Sequence, residues 1–167
     1  GKDGYAFRRE LLAESPRHLK VLDTAAKMSG WGSALPEKHG RGIAFVPSFG
    51  SIVAQVAEVD MSGPKPKVTK VYVAADPGFV INPDGFTAQM ESAIVYGLTA
   101  ALYGEITLKN GAVEQSNFHD YPMLRMGEMP EVKVALINGD HKHLGGGGEP
   151  GLPPIAPAVT NAIFAAT

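Results

Sequence analysis

Residues 42–61, GIAFVPSFGSIVAQVAEVDM, carry the reading on which the fold turns. In the second half Ile52, Ala54 and Val56 alternate with Val53, Gln55 and Ala57, so both faces of an extended strand are largely apolar. The stretch reads as two strands or as one long, broken strand. Directly after it, GPKP at residues 63–66 forms a hairpin-like connection. Val68, Lys70 and Tyr72 then alternate against Thr69, Val71 and Val73 in a further strand.

Upstream, Ser15 can cap a helix that has Pro16 at its first position. Leu19, Leu22 and Ala26 recur at helical spacing, Gly30 is placed to terminate the helix, and Trp31 is expected to pack just beyond it. Downstream, the turn-rich ADPGFVINPDG of residues 75–85 leads into a helix expected over residues 86–103. Ala93, Gly97 and Ala101 lie one turn apart on that helix. Such a row lets another backbone come close, so the helix is expected to be central and buried. Asn110-Gly111 marks a hairpin over residues 108–113, and strands are expected at 114–118 and 131–137. A last helix starts near Pro153 or Pro154 with Ile155, Val159, Ala162, Ile163 and Ala166 on one face. The order of helix, strands, helix, strands and helix gives an α+β class, with residues 1–167 as one α+β domain or fragment.

Composition narrows the function. The chain has 167 residues, 44% of them apolar, enough to bury a core. A net charge of −2 gives no pointer to nucleic acid or to an anionic membrane surface. The absence of cysteine excludes a thiolate zinc site, a cysteine nucleophile and an iron–sulfur cluster held by this chain. No apolar run approaches the ~18 residues a membrane span needs. Both ends read as cut: GKDGYAF opens without Met or a signal pattern, and NAIFAAT stops inside a helical pattern without a cap. A piece of a longer or processed chain is expected.

The chemistry concentrates in GGGGEPG, residues 145–151, where backbone-special residues surround one carboxylate, Glu149. A carboxylate serves as general base, nucleophile or metal ligand. Gly145 to Gly148 lack side chains, so a bulky ligand could press against the backbone beside it. The same letters also describe a flexible loop with an exposed acid. Gly146, Gly148 and Gly151 spell G-x-G-x-x-G, but no strand runs into Gly146 and Pro150 lies inside the motif, so a dinucleotide loop is set aside. Gln89, near the start of the long helix, can hydrogen-bond a polar cofactor, or can simply be a solvated helical glutamine. His141 and His143 lack a third ligand and read as a polar loop. His119, Asp120, Tyr121 and Arg125 read as groups fixing loops. Ser48 and Ser51 lack a hydrolase elbow.

Three stretches together resemble one family: DPGFVINPDGFTAQMESAIVYGLTAALYGEI, QSNFHDYPMLRM and GGGGEPGLPPIAPAVTNAIFAAT. They are similar, in unbroken order, to the molybdenum hydroxylases of the xanthine dehydrogenase and aldehyde oxidase family, and to the C-terminal part of large subunits of the isoquinoline 1-oxidoreductase beta type. The resemblance implies a molybdopterin-binding domain holding a molybdenum–pterin cofactor, usually a cytosine dinucleotide form, with no protein side chain on the metal. It implies that Glu149, in Gly148-Glu149-Pro150, is the general base of a hydroxylation that places water-derived oxygen on an N-heterocycle or an aldehyde. It also implies that Gln89, Gly147 and Gly148 lie against the cofactor. The implied partners are the N-terminal remainder of the subunit and a small subunit carrying iron–sulfur clusters. Gly147 replaces a small branched residue common in relatives, so a looser loop is expected there. The alternative is a non-catalytic fragment or assembly module, and the isolated chain is expected to be inactive.

Overall fold

The computed structural model describes residues 1–167 apart from Asn138, Asp140 and His141. Two helices, α1 (Gly4–Leu11) and α2 (Pro16–Ser29), precede strands β1 (His39–Ser48), β2 (Ser51–Asp60) and β3 (Lys67–Asp76). Helix α3 (Pro83–Tyr103) follows, then the small hairpin β4 (Leu108–Lys109) and β5 (Ala112–Val113), a 3₁₀ turn at Met126–Glu128, strand β6 (Glu131–Leu136) and helix α4 (Ile155–Ala166). The main sheet runs β1-β2-β3-β6, with β6 parallel to β3 and the other pairs antiparallel. Residues 42–61 are thus two strands, and the break is a tight turn. Phe49 (φ 51°) and Gly50 (φ 76°) occupy its two positions, with Ser48 and Ser51 paired across it. Two consecutive positive φ values suit the right-handed twist of a hairpin, although the first is costly for a side chain as large as phenylalanine.

The apolar faces of β2 are both covered. Ile52, Ala54 and Val56 meet α2 through Val21, Leu22, Ala25 and Ala26, while Val53, Ala57 and Val59 meet Met90, Ile94 and Leu98 of α3 and Ile155, Ala158 and Val159 of α4. Each fully buried Leu, Ile or Met of this kind contributes about 1.5–3 kcal/mol through area removed from water. The helix over β1 comes unusually close. A β-carbon on Gly42 would stand 2.2 Å from the Ala158 carbonyl oxygen, and one on Gly40 would stand 2.0 Å from that of Ala162. The amide of Asn161 donates to the Ile43 carbonyl at 3.1 Å, fixing α4 along the strand. On the other face, Arg41 donates to Glu58 across β1 and β2 at 2.9 Å and to the Gly30 carbonyl at 2.9 Å. Gly30 adopts the left-handed conformation (φ 62°) that ends α2, and Trp31 packs against the α2 side of the core, as expected.

Several expectations change. Helix α3 starts at Pro83, not residue 86, because Asn82 accepts a hydrogen bond from the Gly85 amide at 2.9 Å and Pro83 takes the first helical position. Of the small-residue row, Ala93 and Gly97 are buried but Ala101 is exposed. Gly97 makes the close approach, since a β-carbon there would meet Ile155 Cγ2 at 2.2 Å. Residues 114–118 form no strand. The Asp120 carboxylate accepts from the amides of Asn117 and Ser116, both at 2.9 Å, and folds the segment into a turn. The 108–113 hairpin forms as expected, with Asn110 and Gly111 at positive φ. Helix α1, for which residues 1–14 offered no clear signal, is capped by Asp3 and held to α2 by Tyr5, which donates to Asp23 at 2.8 Å. Among the described residues no helix is long and apolar enough to cross a membrane.

Gly42→Val should force α4 off β1 and destabilise the fold by about 3 kcal/mol in urea denaturation, with a change in midpoint and not in slope. Backbone hydrogen bonds from Asn117 and Ser116 lower the Asp120 pKa to about 2. A depressed carboxylate stabilises the turn above its ordinary value of 3.8, and that contribution is lost as pH falls toward 2. Carbon-13 titration of the Asp120 carboxyl should show the low midpoint, and a midpoint near the ordinary value would show the turn open.

Candidate functional site

The Glu149 loop is laced to one end of the sheet by backbone hydrogen bonds. The Gly145 amide donates to the Pro77 carbonyl at 2.7 Å, and the Gly146 amide donates to the Phe49 carbonyl at 2.8 Å. Ser51 donates its hydroxyl to the Gly146 carbonyl at 2.6 Å. Phe79 donates its amide to the His143 carbonyl at 3.0 Å, and Gly78 bridges Leu144. The β1–β2 turn, the segment after β3 and the glycine loop therefore form one unit.

That unit has its own anchor. Asp76, at the end of β3 and only 3% exposed, receives Arg17 of α2 through two bonds, Nε to Oδ2 at 3.0 Å and Nη2 to Oδ1 at 3.1 Å. Arg17 Nη2 also reaches the Asp76 carbonyl at 3.1 Å, and the Gly78 amide donates to Asp76 Oδ1 at 2.7 Å. A buried carboxylate needs such pairing, because an unpaired one is strongly disfavoured. Nothing in the spacing of Arg17 and Asp76 foretold their pairing; the turn-forming DPG only marked Asp76 as a turn residue.

Space, not backbone angle, accounts for most of the glycines. None of Gly145 to Gly148 has positive φ. A β-carbon on Gly145 would lie 2.3 Å from Ser51 Oγ, one on Gly146 would lie 3.0 Å from Phe49 Cβ, and one on Gly147 would lie 2.8 Å from Phe86 Cε2. At Gly151 it would lie 2.9 Å from Ala93 Cβ. Only Gly148 faces open space, with nothing within 4 Å of a β-carbon. The expected loosening at Gly147 is not found: the Phe86 ring fills the place that a branched side chain would take.

Glu149 is exposed next to Gly148 and closes a turn in which its carbonyl accepts the Leu152 amide at 2.9 Å. The loop crosses the first half of α3, touching Phe86 at Gly147 and Met90 and Ala93 at Gly151. Gln89 is exposed on α3, one turn after Phe86 and one turn before Ala93, the two residues nearest Gly147 and Gly151. Glu149 and Gly148 are neighbours in the loop, and Gln89 lies on the helix that the loop crosses. His143 has its Nε2 3.1 Å from the Gly50 carbonyl, while His141 is outside the described residues. His119 and Asp120 belong to the separate 116–121 turn, and Ser51 is engaged with Gly146. Among the described residues no cluster of three His, Asp or Glu side chains is arranged to hold a metal.

A mixed sheet with helices on both faces, closed at one end by a glycine loop, matches proteins of known class. The molybdopterin cofactor-binding domain model matches residues 13–130. The chain belongs to that family, within the molybdenum hydroxylases. Isoquinoline 1-oxidoreductase subunit beta of Brevundimonas diminuta is 39% identical over 96% of this chain and 21% of its own length. Membrane-bound aldehyde dehydrogenase [pyrroloquinoline-quinone] of Gluconacetobacter polyoxogenes is 32% identical over 98% of this chain and 24% of its own length. The chain therefore spans between a fifth and a quarter of these curated relatives. CO dehydrogenase from Oligotropha carboxidovorans shares the fold with a TM-score of 0.62, at 22% identity over 70% of this chain and 15% of that one.

The residues at the loop end fit such a cofactor. Gly148 leaves bare backbone facing open space, Gln89 supplies an exposed amide that both donates and accepts, and Glu149 supplies a carboxylate. Gly145→Ala should destabilise the fold by about 2 kcal/mol through overpacking against Ser51 and the Gly50 backbone. Gly148→Ala should change stability by less than about 0.5 kcal/mol. Parallel urea denaturation of the two variants checks the contrast.

Proposed function

We propose that this chain is the C-terminal part of the molybdenum-binding subunit of an oxidoreductase, and that it presents Glu149 as general base beside a molybdenum–pterin cofactor. The observation that carries the reading is the loop itself: three glycines are consumed by the chain's own packing, and the fourth, Gly148, leaves open backbone beside an exposed carboxylate. When bound, the cofactor takes up the two electrons removed from the substrate. The net reaction adds the oxygen of water to a C–H carbon and releases two protons with those electrons.

Within that reaction the chain's own residues bind, orient and move a proton. Glu149 accepts a proton at a carboxylate oxygen from the water-derived nucleophile, making the oxygen a better attacking group as it meets an electron-poor carbon. Gln89, through an amide that donates and accepts, and the backbone of Gly148 with Gly147 beside it would hold the pterin cofactor. The cofactor these residues would hold is the cytosine dinucleotide form. Iron–sulfur clusters on a small partner subunit would carry the electrons away, and the N-terminal remainder of the subunit would complete the pocket. The names of the two curated relatives offer two substrate classes, an isoquinoline-like N-heterocycle and an aldehyde; the higher identity favours the heterocycle.

Glu149→Gln in the whole enzyme, assayed with isoquinoline and with a simple aldehyde, should lower kcat by about 10²–10⁴-fold at unchanged molybdenum content. A variant that turns over like the parent would remove Glu149 from the reaction.

A further inference from the structure

We infer that Gln55 is a positioning residue for Glu149, an internal amide that holds the carboxylate's turn from inside the sheet; this rests on the reading of Glu149 as the base. Gln55 lies in the middle of β2 and is fully buried. It lies on the face of β2 that carries Val53 and Ala57, opposite Val73 of β3, and so on the side of the sheet whose apolar layer α3 and α4 cover. A burial of this kind normally selects Val, Ile or Leu, since an amide loses its water on burial and must recover the loss in hydrogen bonds.

Gln55 recovers only half of it. Its Nε2 donates to the Gly151 carbonyl at 2.6 Å, while its Oε1 is buried with no donor among the described residues. The one bond it makes falls at an informative place. The peptide between Gly151 and Leu152 is held at both ends: its carbonyl accepts from Gln55, and its N–H donates to the Glu149 carbonyl at 2.9 Å. Gly151 is pressed on Ala93 and Met90, so this peptide has no freedom to tilt toward α3. From strand β2 the constraint passes through one amide and one peptide plane to the backbone of Glu149. Removing the amide leaves the Glu149 turn closed only by its own hydrogen bond and by contact with α3.

Stability and positioning therefore part company at residue 55. An apolar side chain there removes one unpaired buried oxygen, Gln55 Oε1, and leaves another, the Gly151 carbonyl, without its donor, so stability changes little while the Glu149 turn is released. A purely structural glutamine would show the reverse, with stability lost and chemistry per folded molecule kept.

The test uses the whole enzyme and two replacements, Gln55→Leu and Gln55→Met. The unbranched methionine follows the path of the glutamine side chain, should the branched leucine fail to pack. Melting temperature, hydrogen exchange of residues 145–152, and kcat and KM are measured, the last two with whichever of isoquinoline or an aldehyde the enzyme accepts. The melting temperature should change little, exchange across residues 145–152 should speed up about tenfold or more, and kcat should fall about 10–100-fold with KM within about twofold. Unchanged kcat in both variants would overturn the inference, and so would a lower melting temperature with exchange of the loop unaltered. Glu149→Gln, run in parallel, separates the two claims. If that variant stays active the base reading fails, while the exchange of residues 145–152 still reports whether Gln55 holds the turn.

Discussion

The arrangement of the site rests on how closely backbone approaches side chain and backbone at one end of the sheet. Between the β1–β2 turn, the segment after β3 and the first half of α3 there is room for hydrogen but not for a methyl group. Gly145, Gly147 and Gly151 fill that space. Close approach brings the hydrogen bonds from Gly145 to Pro77 and from Gly146 to Phe49 into range, and it is these that convert a run of glycines into a fixed loop. Gly is otherwise entropically costly to order. Here ordering is supported on three sides by elements that are themselves part of the core.

Two buried polar groups connect this loop to the rest of the fold. Asp76, paired with Arg17, ties the end of β3 to α2 on one face of the sheet and holds the turn that receives Gly145. Gln55 reaches Gly151 from the other face. Helices on both faces thus contribute to the placement of one carboxylate. This explains why the sheet needs cover on both sides although the candidate residues lie at only one end. The same layering explains the glycines of β1, where α4 lies with its backbone against Gly40 and Gly42 and so brings its first turn to the end of the loop.

Much of this was legible in the residues. Period-two alternation in β2 and β3, the Asn110-Gly111 turn and the proline-led helix starts all express local physics, and each lies where the pattern put it, within a few residues. What was hidden depended on distant partners. Phe49-Gly50 is not a recognisable hairpin signature, because a phenylalanine at positive φ is tolerated only where the surroundings hold it. Residues 114–118, expected as a strand, carry one apolar side chain, Phe118, and Asp120 captures the amides of Ser116 and Asn117 in a turn instead. The glycine run was conspicuous, yet its reason was not: the sequence shows missing side chains and not whether a ligand or the chain itself occupies the space. Gln55 looked like one polar residue in an apolar strand, and its meaning depends on Gly151, 96 positions away.

The most direct test of the account is a cryo-electron microscopy map of the whole enzyme, assembled with its partner subunits. The account predicts pterin density against the open side of Gly148, within hydrogen-bond distance of Gln89, with the Glu149 carboxylate facing the metal. Polypeptide filling that space, or a cofactor bound elsewhere with Gln89 and Glu149 turned to solvent, would contradict it.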